Sequence, residues 1–200
     1  MMRLLFVFVF LLGLVSCGDE NKSPSKNLEK IKTNEKNTED IVYEYYKAYN
    51  SKDTKKLEEL VTDDLLLIEM NHQVLNTKIK FIDLVKWGEE LNATNYMGSL
   101  KEENGIYIVD EIQDSERIQF FYGKSLKTKT SFTLENGKIS KINIDLIGFN
   151  PNKMNKVRNE LMNWIKENHP DKLSNINKLN KLGGQTFKEA MKLFENKTKQ

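Results

Sequence analysis

The order of apolar and polar residues predicts three helices at the start of the folded region. Apolar residues recur at helical spacing in 38–50, 53–61 and 80–91, and this period is typical of amphipathic helices. Between the second and third helices lies an uninterrupted apolar run, 65–70, which predicts a strand covered on both faces. A turn is expected directly after it, at 71–73.

From Thr94 onward the period changes to two, which predicts strands. The strand candidates are 96–100, 106–112, 117–122, 126–134 and 138–147. Asn136 and Gly137 lie between the last two, and this pair tolerates the positive φ values of a tight hairpin turn. Helices followed by an antiparallel meander predict an α+β domain.

Two more helices are predicted after the strands. Asn150 is a good helix cap, and Pro151 suits the first helical position because its missing N–H costs nothing there. Gly183 and Gly184 are expected to separate a last helix from this one. We expect these helices to pack on the outside of the sheet or on a second copy of the chain.

The first 17 residues resemble a bacterial lipoprotein signal. Arg3 is followed by an apolar run that is shorter than the roughly 20 residues of a membrane-spanning helix. Leu14-Val15-Ser16-Cys17 resembles the lipobox, in which signal peptidase II cuts before a cysteine that carries lipid. This implies that Cys17, the only cysteine, anchors the chain to a lipid bilayer. The alternative is a free or buried cysteine behind an uncleaved anchor.

Residues 18–37 are rich in Ser, Asn, Lys and Glu and have no apolar face, so we expect a disordered tether. Gly18 directly follows the cysteine, and the first acidic residue comes one position later, at Asp19. By resemblance to known sorting rules, this arrangement does not indicate retention at the inner membrane. We expect a lipid-anchored protein of the cell envelope, in the outer membrane if the cell has one. The folded domain is then expected in the periplasm or at the cell surface.

The charge balance excludes nucleic acid as an expected partner. Lys and Arg total 31, Asp and Glu total 29, and the net charge is +2, whereas nucleic-acid binding needs a strong basic excess or stripe. Nearly all the cations are lysines. Arg3, Arg117 and Arg158 are the only arginines, so bidentate recognition of a carboxylate or phosphate has few candidates.

The order of elements in 38–149 resembles the NTF2-like (SnoaL-like) cone fold. The resemblance rests on the opening helix, on Tyr49-Asn50-Ser51-Lys52-Asp53 before the second helix, on Thr62-Asp63-Asp64 before the first strand, and on the final hairpin. It implies N-terminal helices packed on a curved antiparallel sheet around a pocket. Residues 150–200 are then a C-terminal helical extension.

Enzymes of this family place a carboxylate base in the pocket with Tyr, Asp or His partners, and the resemblance directs attention to such residues. Asp110 shares a strand face with Ile106, Ile108 and Ile112. If that face lines the pocket, Asp110 is the candidate base and Ile108 part of the wall. The alternative is a solvated acid paired with a lysine. Glu69 and Asp145 have weaker contexts.

Aromatic residues of the helices are further pocket candidates. Tyr45 is the candidate acid, Tyr46 and Tyr49 lie on the same helix, and Trp87 follows on the third helix. The alternative for each is core packing with a wet polar tip. His72 and His169 fall in predicted loops, where we expect them to be solvated. No metal-ligand spacing and no P-loop, GxGxxG, GxSxG or HExxH motif is present, so neither a metal nor a cofactor is expected.

Three functions stay open at this point. The first is non-catalytic binding of a small apolar ligand or a protein partner. The absence of a pocket histidine and of a convincing second carboxylate favours it. The second is an isomerase, dehydratase or cyclase with Asp110 as base and Tyr45 as acid, which requires both groups within hydrogen-bond reach across one cavity. The third is assembly, in which a sheet face or the C-terminal helices form a homodimer. Fold alone does not decide among them.

Overall fold

A computed structural model describes residues 38–197 of the chain. The predicted lipid attachment at Cys17 and the predicted tether, 18–37, lie outside the described residues. Among residues 38–197, no helix combines the length and the hydropathy of a membrane span.

The described residues form seven α-helices, six strands and one 3-10 turn. In chain order they are α1 Thr38–Ser51, α2 Thr54–Leu60, β1 Val61–Glu69, β2 His72–Leu75, α3 Lys78–Glu90, β3 Thr94–Glu103, β4 Ile106–Asp114, α4 Glu116–Tyr122, β5 Leu126–Glu135, β6 Lys138–Ile147, α5 Pro151–Asn168, the 3-10 turn Pro170–Lys172, α6 Leu173–Ile176 and α7 Lys181–Lys197.

The six strands form one open sheet in the order β2-β1-β6-β5-β4-β3. All neighbouring strands are antiparallel except β1 and β6, which run parallel. Helices α1, α2 and α3 bury their apolar sides against this sheet, with Phe132 of β5 fully buried at the centre. The predicted α+β cone, with N-terminal helices on a curved sheet and a C-terminal helical extension, is confirmed. The parallel pair is the departure from a purely antiparallel sheet.

One predicted strand, 117–122, is wrong, because these residues form α4. Ser115 caps the helix, its Oγ accepting a 3.0 Å hydrogen bond from the backbone N–H of Ile118. Gly123 ends it in the left-handed conformation, at φ 68°. Ile118 and Phe121, three positions apart, are the buried residues of the turn. The cap and the terminating glycine determine the structure of this short segment.

Two hairpin turns contain residues at positive φ. Asn136 and Gly137 take φ values of 50° and 72°, so the predicted hairpin between β5 and β6 is confirmed. The turn before β2 is shifted from its predicted position. Met70 and Asn71 form it, at φ 49° and 65°, and His72 already begins the strand.

The C-terminal helices pack mainly on α3 and α4. We had expected them to pack on the outside of the sheet or on another copy of the chain. They share a second apolar cluster with those helices, formed by Leu91, Phe121, Leu161, Ile165, Ile176, Phe187, Ala190 and Met191. Gly183 and Gly184 lie inside α7 rather than before it. A Cβ at Gly184 would stand 2.6 Å from the carbonyl oxygen of Trp87, so glycine permits the close crossing of α7 over α3.

Candidate ligand cavity

A cavity of about 520 Å³ lies between α1, α3, the inner face of the sheet and the C-terminal extension. This volume is within the range of small-molecule sites. Apolar side chains from the sheet and from α3 form much of its wall: Leu67, Val74, Phe81, Leu84, Val85 and Ile144. The extension adds Ile176, Leu179 and Phe187. The helices after the sheet therefore complete the cavity.

The structure places three of the predicted pocket residues, Tyr45, Tyr49 and Trp87, on the cavity wall. The ring of Tyr45 stacks with the rings of Phe81 and Tyr49, at centroid distances of 6.2 and 6.1 Å. Burial raises the pKa of Tyr45 well above its ordinary value. Burial, with the charge of Glu111, raises the pKa of Tyr49 to about 12. An ordinary tyrosine, with a pKa near 10, is already neutral at pH 7, and burial extends this neutral range to higher pH for both hydroxyls.

Asp110 lies on the outer face of the sheet, so the prediction that it faces the pocket is wrong. It is exposed, accepts a 2.7 Å hydrogen bond from Ser99 Oγ, and its Oδ1 stands 4.0 Å from Lys129 Nζ. Ile108 shares this outer face and does not line the cavity. The alternation along β4 is as predicted, but its isoleucines point away from the helices. Tyr107 and Val109 are the residues that face the core.

The buried acid of β4 is Glu111, which sequence reasoning missed. It is 4% exposed. Its Oε1 accepts hydrogen bonds from Thr128 Oγ1 at 2.8 Å, Thr130 Oγ1 at 2.6 Å and Gln113 Nε2 at 2.9 Å. Its Oε2 is buried and has no hydrogen-bond partner among the described residues. Glu111 does not line the cavity, whereas Gln113 does. The sequence feature that could have revealed this acid is the pair of threonines at alternate positions of β5, because inward-facing hydroxyls need a polar partner on the neighbouring strand.

The remaining sequence candidates lie at the edge of the cavity or outside it. Glu69 is exposed and lines the cavity. Asp145 is half-buried, pairs in register with Lys129, and accepts a hydrogen bond from Asn143. His72 is exposed in β2, and His169 packs near Trp164 at the end of α5. Neither histidine lines the cavity. Within residues 38–197, no group of three or more His, Asp or Glu side chains is placed to hold a metal ion.

Two arginines also line the cavity: Arg117 from α4 and Arg158 from α5. The guanidinium carbon of Arg117 lies 5.4 Å from the ring centroid of Phe121 and 5.7 Å from that of Trp87. Burial lowers the pKa of Arg117, the charge of Glu69 opposes this, and the like charge of Arg158 adds to it. An arginine stays protonated in proteins even so. Sequence reasoning assigned neither arginine to the pocket, because it placed Arg117 in a strand and Arg158 in a C-terminal extension outside the pocket.

No family model and no curated protein matches this chain. Solved structures are similar to it, among them an NTF2-like protein of unknown function from Cytophaga hutchinsonii, at 14% identity and a TM-score of 0.47 over 55% of this chain and 89% of that one. Another is an NTF-2 like protein of unknown function from Burkholderia xenovorans, at 11% identity and 0.45 over 60% and 91%. A third is an LEH-like epoxide hydrolase from M. tuberculosis, at 10% and 0.49 over 65% and 96%. Likeness at this level carries no inference about ligand or reaction.

Proposed function

We propose that this protein is a lipid-anchored binding protein of the cell envelope, whose cavity holds a small, largely apolar molecule without converting it. The observation that carries the proposal is the cavity of about 520 Å³ between the helices and the sheet. Its inner end is formed by aromatic and aliphatic side chains, including Tyr45, Phe81 and Leu67. Such a wall favours an apolar body through the area that binding removes from water.

The positions of Asp110 and Asp114 support binding over proton transfer. Asp110, the predicted base, stands on the other face of the sheet from Tyr45, and proton transfer needs hydrogen-bond reach. Asp114 lines the cavity, but its carboxylate accepts hydrogen bonds from Ser115 N, Gln119 Nε2 and Ser125 Oγ. It thereby holds the junction between β4 and α4.

A thermal-shift screen of the full chain against a panel of apolar compounds tests the binding proposal. A ligand that binds only the folded state stabilises it by RT ln(1 + [L]/Kd), so a bound compound raises the melting temperature. A rise that saturates with concentration for a subset of the panel is the expected result. Stabilisation by no compound of the panel would contradict the proposal.

Anchoring rests on the lipobox resemblance at Cys17. The test is metabolic labelling of expressing bacteria with an alkyne fatty acid, comparing the natural chain with Cys17→Ser. Labelling of the natural chain alone is expected, and equal labelling of both would contradict anchoring at this residue.

Pairing of two copies stays a prediction. Ile106, Ile112 and Ile147 are exposed on the outer side of the sheet, where apolar surface is available for contact. Light scattering on the purified chain distinguishes a monomer from a dimer.

A further inference from the structure

The cavity has a cationic part that the proposed apolar ligand alone does not explain. Of the chain's three arginines, two line this one cavity, and the third, Arg3, precedes the described residues. Apart from these arginines and the two histidines, every basic side chain is a lysine, and no lysine of residues 38–197 lines the cavity. The residue type suited to bidentate recognition of acids is thus concentrated at the site.

Neither guanidinium has a partner for its N–H donors among the residues that the structure describes. Within residues 38–197, the side chains of Arg117 and Arg158 make no hydrogen bond and no ion pair. The contacts of Arg117 are with the ring faces of Trp87 and Phe121. Ring faces hold the cation without using its N–H groups. The hydrogen-bonding edge of Arg117 is therefore left for another group.

The two carboxylates of the cavity do not fill this role. Asp114 is engaged by three donors at the start of α4. Glu69 is exposed, and no ion pair joins it to either arginine. Its charge acts on Arg117 through space only. A buried or half-buried cation without a partner is costly. An anion that replaces water beside Arg117 therefore gains more binding free energy than it would beside an arginine at the surface.

The two arginines differ in depth. Arg117 is half-buried, whereas Arg158 is exposed. The side chain of Asn177, on the extension, also lines the cavity and makes no hydrogen bond within residues 38–197. An acid entering from solvent would thus meet Arg158 and Asn177 at the mouth and Arg117 further in.

We infer that the cavity binds an amphipathic molecule with one anionic head group, a carboxylate or a phosphate monoester, held between Arg117 and Arg158. The apolar body of this molecule lies against Phe81, Leu84 and Tyr45. Planar guanidinium groups match the oxygens of both head groups, and the aliphatic and aromatic wall suits the body. The inference rests on the proposed binding function and specifies the ligand class.

Isothermal titration calorimetry with matched probes tests the inference on the purified full-length chain. Decanoate is compared with its uncharged amide, decanamide, and 2-naphthoate with 2-naphthamide. Decyl phosphate distinguishes phosphate from carboxylate head groups. We expect at least one acid to bind at least about tenfold more tightly than its amide, since hydrogen bonds to charged groups are the strong ones.

Variants assign the preference to residues. Arg117→Gln and Arg158→Gln should each reduce acid affinity by about tenfold and leave amide affinity unchanged. Arg158 is exposed, so Arg158→Gln tests the inference even if Arg117→Gln fails to fold. Glu69→Gln should tighten acid binding, because it removes a competing negative charge. Lys129→Gln removes one positive charge from the outer face of the sheet and is the control, expected to change nothing.

Three results would overturn the inference. Equal affinity for acid and amide would leave an apolar cavity and remove the anion site. Acid preference that survives in Arg117→Gln and Arg158→Gln would place the site elsewhere. Binding of none of the probes would overturn this inference and count against the proposed function as well.

Discussion

The hydroxyl of Thr130 donates a 2.6 Å hydrogen bond to Oε1 of Glu111, inside the cone and out of reach of solvent. Thr128, directly opposite Glu111 on β5, donates a second bond to the same oxygen. A buried carboxylate persists only where donors compensate for lost hydration. The two threonines and Gln113 therefore keep Glu111 inside the core.

Replacing Glu111 should destabilise the fold according to how much of this bonding is lost. Glu111→Ala leaves two threonine hydroxyls buried without an acceptor and is expected to cost about 2–4 kcal/mol of unfolding free energy. Glu111→Gln keeps a carbonyl oxygen in place and should cost clearly less. Urea unfolding followed by circular dichroism measures both.

The neighbouring exposed acid provides the control. Asp110→Asn should change the unfolding free energy by no more than about 0.5 kcal/mol, since surface substitutions rarely do more. Equal costs for Glu111→Ala and Asp110→Asn would contradict the placement of β4, because they would mean that Glu111 is not in the core.

The buried tyrosines of α1 should make the protein lose stability in alkali. Burial raises the pKa of Tyr45 and Tyr46, and the pKa of Tyr49 rises to about 12, above the value near 10 of the unfolded chain. Between pH 10 and 12 the folded state therefore retains protons that the unfolded state has lost. Unfolding free energy falls as the pH rises through this window, by about 1.4 kcal/mol per pH unit for each such group.

Urea unfolding at pH 9, 10 and 11 measures this loss. Tyr49→Phe should make the decline shallower. Tyr43→Phe is the matched control on the same helix, at an exposed position, and should leave the slope unchanged. A decline that is identical in all three proteins would show that Tyr49 does not carry it.

Gly184 should tolerate no side chain. A Cβ there would approach the Trp87 carbonyl oxygen to 2.6 Å and the Glu90 Cβ to 3.0 Å, so Gly184→Ala must push α7 away from α3. We expect a loss of about 1–3 kcal/mol, typical of overpacking, although alanine is the better helix former. The exposed neighbour Gln185→Ala is the control. A stabilised Gly184→Ala protein would contradict the close crossing.

Much of the fold was predictable from local signals. Helices α1, α2 and α3 follow from their apolar period, and Asp53 caps α2 as expected, its side chain accepting from Lys56 N. The Asn136-Gly137 hairpin follows from the conformational freedom of that pair. These features depend on residues close together in the chain, which is why the sequence alone indicates them.

The site was less predictable, because it depends on contacts distant in sequence. The period of β4 defines two faces of the strand, but it does not show which face the helices cover. Three isoleucines and Asp110 at alternate positions favoured the face that proved to be the outer one. The place of Arg117 required knowing that Ser115 begins a helix. Arg158 lines the cavity from α5, a helix that packs on α4 and α7 and lies far in sequence from most of the other wall residues.

The most direct test of the account uses the two tryptophans of the chain. Both pack against the C-terminal apolar cluster, but Trp87 lines the cavity and Trp164 does not. In a 15N-labelled sample titrated with decanoate, 2-naphthoate and their amides, with assignment by Trp164→Phe, the indole N–H resonance of Trp87 should shift and saturate with at least one probe. That of Trp164 should stay in place. Equal shifts of both indoles, or no shift of either, would contradict a ligand cavity between the helices and the sheet.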